Sequence, residues 1–184
     1  MTYKESLNIA FLKTDSEEGD YEKGIFPTLA NEAQLYIAKY GTHIVRKIDI
    51  EVEKAPFKTA LPDDFYRESP MGLVNAEDEL TGIDHYIAED NYLVINETGK
   101  FVFYYWALPK DITKLTDEEL EAYEYEVADH TQVAIPSYIG YQLIKTDDVQ
   151  LAQILMNEWN KYLSLFDDRQ KAVQRKIQNT VRWW

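Results

Sequence analysis

Cysteine is absent from the 184 residues, and glycine and proline are scarce, at seven and six residues. Without cysteine the chain can form no disulfide, no thiolate zinc site and no cysteine nucleophile. Seven glycines leave little room for a glycine-rich phosphate-binding loop, and the G-x-S-x-G motif of esterases is missing. These absences remove most of the short motifs by which an enzyme is identified from a single sequence.

The sequence also lacks an excess of positive charge and any long hydrophobic run. Its formal net charge is −14 at pH 7, which argues against sequence-independent nucleic-acid binding because phosphate contacts need a basic surface. No stretch approaches the roughly 18 consecutive apolar residues of a membrane-spanning helix. The first residues contain no basic region followed by an apolar run, so we expect no signal peptide and synthesis in the cytoplasm.

What the chain does contain is enough apolar material for a core and an uneven distribution of charge. Hydrophobic residues make up 45% of the sequence and aromatic residues 14%, well outside the disordered range. From Asp167 to the end, five basic residues accompany two acidic ones, a net charge of +3, which leaves −17 on the rest. A basic tail on an acidic body is typical of an interaction segment.

Apolar residues at helical spacing predict two helices in the N-terminal part of the chain. The first covers about Thr2–Lys13. The second has Asp20 as its predicted N-cap and Gly41 as its C-terminal stop. An acidic loop, residues 15–20, separates them.

The periodicity then changes to that of strands. Apolar and charged residues alternate over Ile44–Glu53, which predicts a half-buried strand. Tyr92–Ile95 and Phe101–Trp106 are predicted to form a hairpin around the turn at Asn96–Gly99. The second of these strands is apolar on both faces, so each face should be covered by the core or by a neighbouring subunit.

Helical signals return in the C-terminal part. Thr116 is predicted to cap a short helix, and Pro136 fits the first turn of a helix through Ile144. Residues 121–128 fit either an extension of the short helix or a strand-like alternation. Thr146 or Asp147 is predicted to cap the strongest helix, whose apolar face comprises Leu151, Leu155, Trp159, Tyr162 and Phe166.

The order of helices, strands and helices predicts an α+β fold. We expect a small helical bundle with an inserted β-hairpin or small antiparallel sheet, followed by an extended or helical C-terminal tail. The predicted domain covers residues 1–166, with a β-rich insertion at about 43–108, and the tail covers residues 167–184.

No group of residues predicts catalysis, a cofactor or a metal. His43, His85 and His130 lie far apart in the sequence and lack the spacing of an HExxH motif. The acidic clusters offer adjacent carboxylates without the ligand pattern of a calcium loop, so we interpret them as solvated loops. These clusters are residues 15–20, 63–64 and 77–79. An enzyme that uses the carboxylates of the last two is a minor alternative.

The tail has a narrow apolar stripe among basic and amide residues. In a helix that begins near Asp167, the stripe consists of Val173, Ile177, Val181 and Trp184. Burying four such side chains contributes roughly 6–10 kcal/mol, whereas ordering the backbone costs of the order of 20 kcal/mol before hydrogen bonding. The stripe therefore needs a surface to pack on, either a partner or the subunit's own core. Its end at Trp183-Trp184 and its reversed charge favour a partner.

Short motifs follow one another in a definite order from residue 61 to residue 166. Leu61-Pro-Asp-Asp-Phe-Tyr-Arg67 precedes Tyr92–Ile95, a turn, and the tyrosine-rich strand that ends in Ala107-Leu-Pro109. The order continues through Leu115–Leu120, Ile135-Pro136, Gln150–Ala152 and Glu158–Tyr162. It resembles the head–tail adaptor proteins of tailed bacteriophages.

The resemblance implies a structural virion protein that assembles as a ring, usually of twelve subunits, at the head–tail junction. Its implied partners are further copies of the chain, the portal protein, and a downstream tail or second ring protein, while DNA passes through the axial channel without specific binding. The implied motif and subunit-interface residues are Leu61, Pro62, Asp63, Phe65, Arg67, Phe103, Tyr105 and Trp106. The residues expected to dock on the portal are Arg169, Val173, Arg175, Ile177, Val181, Trp183 and Trp184.

Two further functions fit the same residues. One is another virion ring, such as a stopper or tail-completion protein. The other is a non-viral, monomeric protein-binding module whose basic tail engages an acidic partner. A ring predicts self-association through two faces, whereas a module predicts a monomer with one saturable partner.

Overall fold

The computed structural model describes residues 1–22, 24–77 and 82–181, with the side chains of residues 166–181 left out. Two compact units make up the fold: a helical unit from residues 1–43 and 109–184, and a β unit from residues 44–108. The fold is α+β, as the order of sequence patterns predicts.

Six α-helices form the helical unit in the part of the chain that is described. They are α1 (Tyr3–Thr14), α2 (Ile25–Tyr40), α3 (Asp117–Ala122), α4 (Asp129–Gln132), α5 (Ile135–Ile144) and α6 (Val149–Val181), with 3-10 turns at Glu18–Asp20 and Ile112–Lys114. Helix α5 is the centre of the unit, because α1, α2 and α6 all pack against it. Pro136 lies in its first turn, as predicted.

The helix ends follow from local hydrogen bonds. Thr2 and Glu5 form a capping box at α1, and Thr116 caps α3 as predicted, again through a capping box with the glutamate three residues on. The prediction of Asp20 as the cap of α2 is wrong. The Asp20 carboxylate instead accepts the Glu17 backbone N–H at 2.9 Å, which closes the preceding 3-10 turn, and α2 begins after Gly24.

Helix α6 begins one or two residues later than predicted. Asp148 accepts the backbone N–H of Leu151 at 2.9 Å, which is the N-cap hydrogen bond. The Thr146 hydroxyl, in contrast, donates to the Asp147 carboxylate. The two side chains predicted as alternative caps therefore hydrogen-bond to each other, and neither caps the helix.

The C-terminal tail is helical through Val181, but no new helix begins near Asp167. Helix α6 continues across this point as one element of 33 residues, about 50 Å long at 1.5 Å per residue. Leu155 and Trp159 are buried on its inner face, and Leu151 and Tyr162 are half-buried.

The ambiguity at 121–128 is resolved, because α3 ends at Ala122, Tyr123 is extended, and residues 126 and 127 form a bend. Thr2 forms an isolated antiparallel bridge with Glu124. Tyr123, Tyr125 and Val127 are buried, while the two glutamates between them are exposed. The alternation of apolar and acidic residues is thus that of a strand rather than of a helix.

The β unit contains two three-stranded antiparallel sheets. The strands are β1 (Ile44–Val52), β2 (Phe57–Ala60), β3 (Phe65–Asn75), β4 (His85–Ala88), β5 (Tyr92–Ile95) and β6 (Gly99–Ala107). Their orders are β1-β6-β3 and β2-β5-β4. The strand predicted at Ile44–Glu53 is confirmed over Ile44–Val52. Its residues on the core side are Ile44, Ile48, Ile50 and Val52. Val45, in contrast, is exposed.

The predicted hairpin is wrong, although both of its strands exist. β5 and β6 belong to different sheets. All nine residues of β6 pair with β1, from Gly99 opposite Val52 to Ala107 opposite Ile44. After β5 the Asn96 backbone N–H donates to the Asp84 carbonyl at 2.9 Å, which keeps this end of β5 beside the segment before β4. Strand β5 has four residues and is too short to pair with all the backbone hydrogen-bonding groups of the nine-residue β6. Strand β1 has nine residues and can, although it lies far from β6 in the sequence.

One apolar core fills the β unit. Its buried members are Val52, Leu61, Leu73, Leu93, Ile95, Phe101, Phe103, Tyr105 and Ala107. Strand β6 contributes every second residue to this core, and the alternate residues Val102, Tyr104 and Trp106 are half-buried on the opposite face. Val102, Tyr104 and Trp106 thus mark the outer face of the sheet β1-β6-β3.

Candidate interaction surface

A row of three side chains crosses the outer face at the end of β6. The strand register places Val45 and Arg67 on either side of Trp106. The guanidinium carbon of Arg67 lies 4.4 Å from the centre of the Trp106 ring, a cation–π contact. Val45 is 57% exposed. This outer row therefore combines Trp and Arg, the residue types most enriched among interface hot spots, with an accessible aliphatic neighbour.

A bulge in β3 lies next to this row. Glu68 pairs with Tyr105 and Leu73 with Phe103, so four residues of β3, 69–72, lie opposite a single β6 residue, Tyr104. The Met71 backbone N–H donates to the Ser69 hydroxyl at 3.3 Å, and the Met71 side chain is 54% exposed. Bulges at sheet edges commonly re-aim a side chain, and here the side chain is a flexible apolar one.

The Leu61–Arg67 motif is anchored to the sheet through Asp64. Its carboxylate accepts the Tyr105 hydroxyl at 3.0 Å and an ion pair from the Arg46 guanidinium, and its backbone carbonyl accepts the Leu108 N–H at 2.8 Å. Burial, together with the hydrogen bond to the carboxylate, raises the pKa of Tyr105 to about 12. The Tyr105 phenol therefore remains a neutral donor, and Asp64 acts as a structural anchor of the loop.

The predicted interface residues have very different accessibilities. Leu61, Phe103 and Tyr105 are buried in the core of the β unit. Pro62, Phe65 and Trp106 are half-buried, whereas Asp63 and Arg67 are exposed. Only the half-buried and the exposed residues can contact a neighbouring molecule while the sheet stays folded.

A groove of about 310 Å³ runs beside the motif. It is lined by Leu61, Pro62, Asp63, Phe65 and the turn that contains Asn91 and Tyr92. Sequence patterns do not predict this groove, because its two walls are separated by some thirty residues of chain.

The helical unit has an aromatic cluster that was not predicted as a surface. Tyr36 packs on Tyr40, with ring centres 4.8 Å apart, and on Trp159 at 5.8 Å, while Tyr138 contacts Trp159 from α5 at 5.0 Å. Tyr36 and Tyr40 are exposed, although their spacing groups them with the buried face of α2. The two residues form the Tyr36–Tyr40 ladder, and their separation by four residues is the one sequence signal for it.

A partly buried ion pair joins three helices of the same unit. The Lys13 ammonium lies 2.6 Å from the Glu158 carboxylate and 3.0 Å from the Ser137 hydroxyl, which donates to Glu158 at 3.0 Å. Burial raises the pKa of Glu158, but hydrogen bonds from Lys13 and Ser137 outweigh it and hold the pKa below its usual value. Ser137 is fully buried and hydrogen-bonded to both Lys13 and Glu158, so these residues link α1, α5 and α6 rather than forming a nucleophile and its base.

The predicted docking residues of the tail lie on α6 or beyond it. The backbone from Arg169 to Val181 is helical, and the side chains of this segment lie outside the described residues, as do Trp183 and Trp184 entirely. Within the acidic loop 77–79, Asp78 and Glu79 also lie outside them. The role of these residues therefore stays a prediction.

Within the described residues, no cluster of three or more histidine, aspartate or glutamate side chains is arranged to hold a metal ion. The His43 ring lies 2.8 Å from the Ala38 carbonyl, and His85 contacts Glu68. Among the helices that are described, none combines the length and the apolar character needed to cross a membrane.

None of the protein-family models matches the chain, and none of the curated proteins does. Function is therefore inferred from the sequence motifs, the fold and the exposed surfaces.

Proposed function

We propose that the chain is a structural protein of a tailed-bacteriophage virion, a head–tail adaptor that forms a ring between the portal and the tail. In this proposal neighbouring subunits contact each other through the outer row, and the ring leaves an axial channel for DNA. The portal is held by the C-terminal tail. The observation that carries the proposal is the outer row, because Arg67, from the family-like motif, and Trp106, near the end of the tyrosine-rich strand, meet there on an accessible surface.

A ring requires a heterologous interface, in which one patch of a subunit binds a different patch of the next. The outer row belongs to the β unit, and the Tyr36–Tyr40 ladder belongs to the helical unit. Two distinct aromatic patches on one chain meet this requirement, since Trp, Tyr and Arg supply most of the binding energy in protein interfaces.

The length of α6 supports a docking role for its distal part. Its helical partners are much shorter, at 10 residues for α5 and 16 for α2, about 15 and 24 Å. Neither of them can cover a helix of about 50 Å along its length. The spacing of Val173, Ile177 and Val181 continues the line of Leu155 and Trp159, so an apolar stripe continues into the basic segment.

The charge of the body suits a channel through which DNA moves. With −17 outside the tail, the protein repels phosphates over most of its surface, and the cargo is not retained. The basic tail, in contrast, can be attracted to an acidic protein surface.

Native mass spectrometry over a wide concentration range, with negative-stain microscopy, tests the proposal. We expect a ring of discrete subunit number, either for the chain alone or after mixing with the portal protein of the same phage. Trp106→Ala and Arg67→Ala should each raise the protein concentration at which the ring forms by at least tenfold, as substitutions of hot-spot residues do. Tyr86→Ala is the matched control, since Tyr86 is 54% exposed on the other sheet.

The tail is tested separately by adding one negative charge on the stripe or off it. Ile177→Asp should abolish portal binding, whereas Asn179→Asp, about 200° further around the helix, should leave it within a few-fold. A chain that remains monomeric at every concentration, both alone and with the portal, would contradict the adaptor function. One saturable protein partner would then favour the monomeric binding module.

A further inference from the structure

Strand β1 is an edge of the sheet β1-β6-β3. All nine of its residues pair with β6, from Ile44 opposite Ala107 to Val52 opposite Gly99. Within the part of the chain that the structure describes, no second strand pairs with β1, and no other helix or strand runs along it. Alternate residues of a strand direct their backbone N–H and C=O groups to opposite sides. The groups on the side away from β6, called the β1 edge, therefore form a row with which another strand can pair.

The other three edges of the described sheets are protected against such pairing. Strand β3 contains Pro70 and the bulge at residues 69–72, which interrupt its register. Strands β2 and β4 have only four residues each. Proline, bulges and short length are features by which proteins prevent sheets from joining edge to edge. Strand β1 has none of them, since it is a regular strand of nine residues, about 30 Å long, without proline or glycine.

The solvent side of β1 carries charges of both signs. Lys47, Asp49 and Glu51 are exposed and alternate with apolar residues of the core side. A lysine in the middle of an edge strand opposes pairing, unless the approaching strand places a negative charge opposite it. Strand β1 has such a charge at Asp49, two residues from Lys47. A second copy of β1 is therefore a partner of the right chemistry.

One register of two antiparallel β1 strands suits both the backbone and the charges. With Ile48 opposite Ile48 of a second copy, the nine residues overlap completely and Lys47 lies opposite Asp49 twice. A shift by two residues is the smallest that keeps every side chain on its own face of the sheet. That shift places either two Lys47 side chains or two Asp49 side chains opposite each other, which is repulsive.

We propose that the β1 edge is a self-association site, at which two copies of the chain pair β1 with β1 in antiparallel orientation about a two-fold axis at Ile48. The two three-stranded sheets then continue as one sheet of six strands. Such a contact is isologous, so it closes after two copies. It uses the edge of the sheet, whereas the proposed ring uses the outer row on its face, and it does not depend on the proposed function.

Charge reversal at the two facing positions tests this pairing in the full chain. In a homodimer, Lys47→Glu makes both contacts acidic on each side, and Asp49→Lys makes both contacts basic on each side. Each variant should need a protein concentration about tenfold higher or more to dimerise, because attraction becomes repulsion at two positions. In an equimolar mixture of the two variants, the mixed dimer again has opposite charges at both contacts. It should therefore form as readily as the wild-type dimer, and native mass spectrometry separates it from the homodimers by mass.

Two control variants separate this contact from net charge and from the ring. Lys161→Glu makes the same change of charge at an exposed position of α6, and it should leave dimerisation unchanged. Arg67→Ala should also leave the dimer unchanged, although we expect it to weaken the ring. Loss of the dimer with the ring retained would count against the β1 edge alone, whereas loss of the ring with the dimer retained would count against the adaptor function alone.

Hydrogen exchange measured by NMR locates the contact. As the wild type is concentrated, the β1 amides that do not bond to β6 should become protected, whereas those that bond to β6 should be protected at every concentration. Three results would each overturn the proposal. They are a wild type that stays monomeric, a dimer whose β1 amides do not change, and a mixture of the two charge variants that dimerises no better than either variant alone.

Discussion

Replacing Lys13 by methionine should distinguish the energy of a partly buried ion pair from that of an exposed pair on the same helix. Methionine keeps the length and apolar body of lysine, but it removes the ammonium that contacts Glu158 at 2.6 Å and Ser137 at 3.0 Å. The Glu158 carboxylate then remains partly buried with the Ser137 hydroxyl as its closest donor. A hydrogen bond to a charged group contributes about 1.5–3 kcal/mol.

The expected loss for Lys13→Met is about 2 kcal/mol. It is below the 3–5 kcal/mol of a fully buried pair because the two side chains are 26% and 31% exposed, so water replaces part of the interaction. Lys4→Met is the matched control. Lys4 bonds Glu121 at the same kind of distance, 3.0 Å, but both of those side chains are mostly exposed, and we expect no more than about 0.5 kcal/mol.

The assay is urea unfolding followed by circular dichroism, at pH 7 and at lower pH. The pKa of Glu158 is held below its usual value, so its contribution to stability is complete above the pKa of an unfolded glutamate, about 4.3. That contribution is lost as the pH falls through the lower, folded-state pKa. The difference between wild type and Lys13→Met should therefore shrink in acid. Equal losses for the two lysine variants, or a difference unaffected by acid, would refute the reasoning.

Two further substitutions test the β unit. Gly72→Ala should destabilise it by roughly 1–3 kcal/mol in thermal unfolding, because the new Cβ meets the Glu68 carboxylate at a positive φ. Gly24→Ala, where no atom lies within 4 Å of the added Cβ, should change stability far less. Asp64→Asn should lower the pKa of Tyr105 from about 12 toward 10, since an ionised acceptor is lost. An unchanged alkaline absorbance titration of the tyrosines would contradict this role of Asp64.

The start of α3 was predicted at the correct residue. Thr116 was predicted correctly, because its hydroxyl and the backbone it caps are three residues apart. Asp20 was predicted wrongly for a related reason. An aspartate carboxylate can accept a backbone N–H from the preceding or from the following residues. The spacing of the sequence does not show that Asp20 accepts the N–H of the preceding Glu17.

The strands were predictable as elements, but not as partners. Alternation identified β1, and apolar β-branched and aromatic residues identified β5 and β6. A short, polar link that contains glycine favours a hairpin, yet the chain uses the link between β5 and β6 to pass from one sheet to the other. Pairing depends on the length and burial of distant strands, which no local pattern contains.

The candidate surface was predictable only in part. Arg67 and Trp106 were both selected through the family resemblance, but their contact arises from the register of β3 on β6. The burial of Leu61, Phe103 and Tyr105 and the exposure of Tyr36 and Tyr40 could not be read from residue type. An aromatic side chain serves a core and an interface equally well.

The amino-acid sequence by itself determined the α+β class, three of the six strands, the Thr116 cap of α3, and the reversal of charge toward the C-terminus. Each of these depends on residues close together in the chain or on composition. Only the tertiary structure decided which strands pair, that α6 continues past residue 167, and that Glu68 and His85 meet across two sheets. These features depend on competition among distant groups for the same hydrogen bonds and the same buried surface, and folding resolves that competition for the whole chain at once.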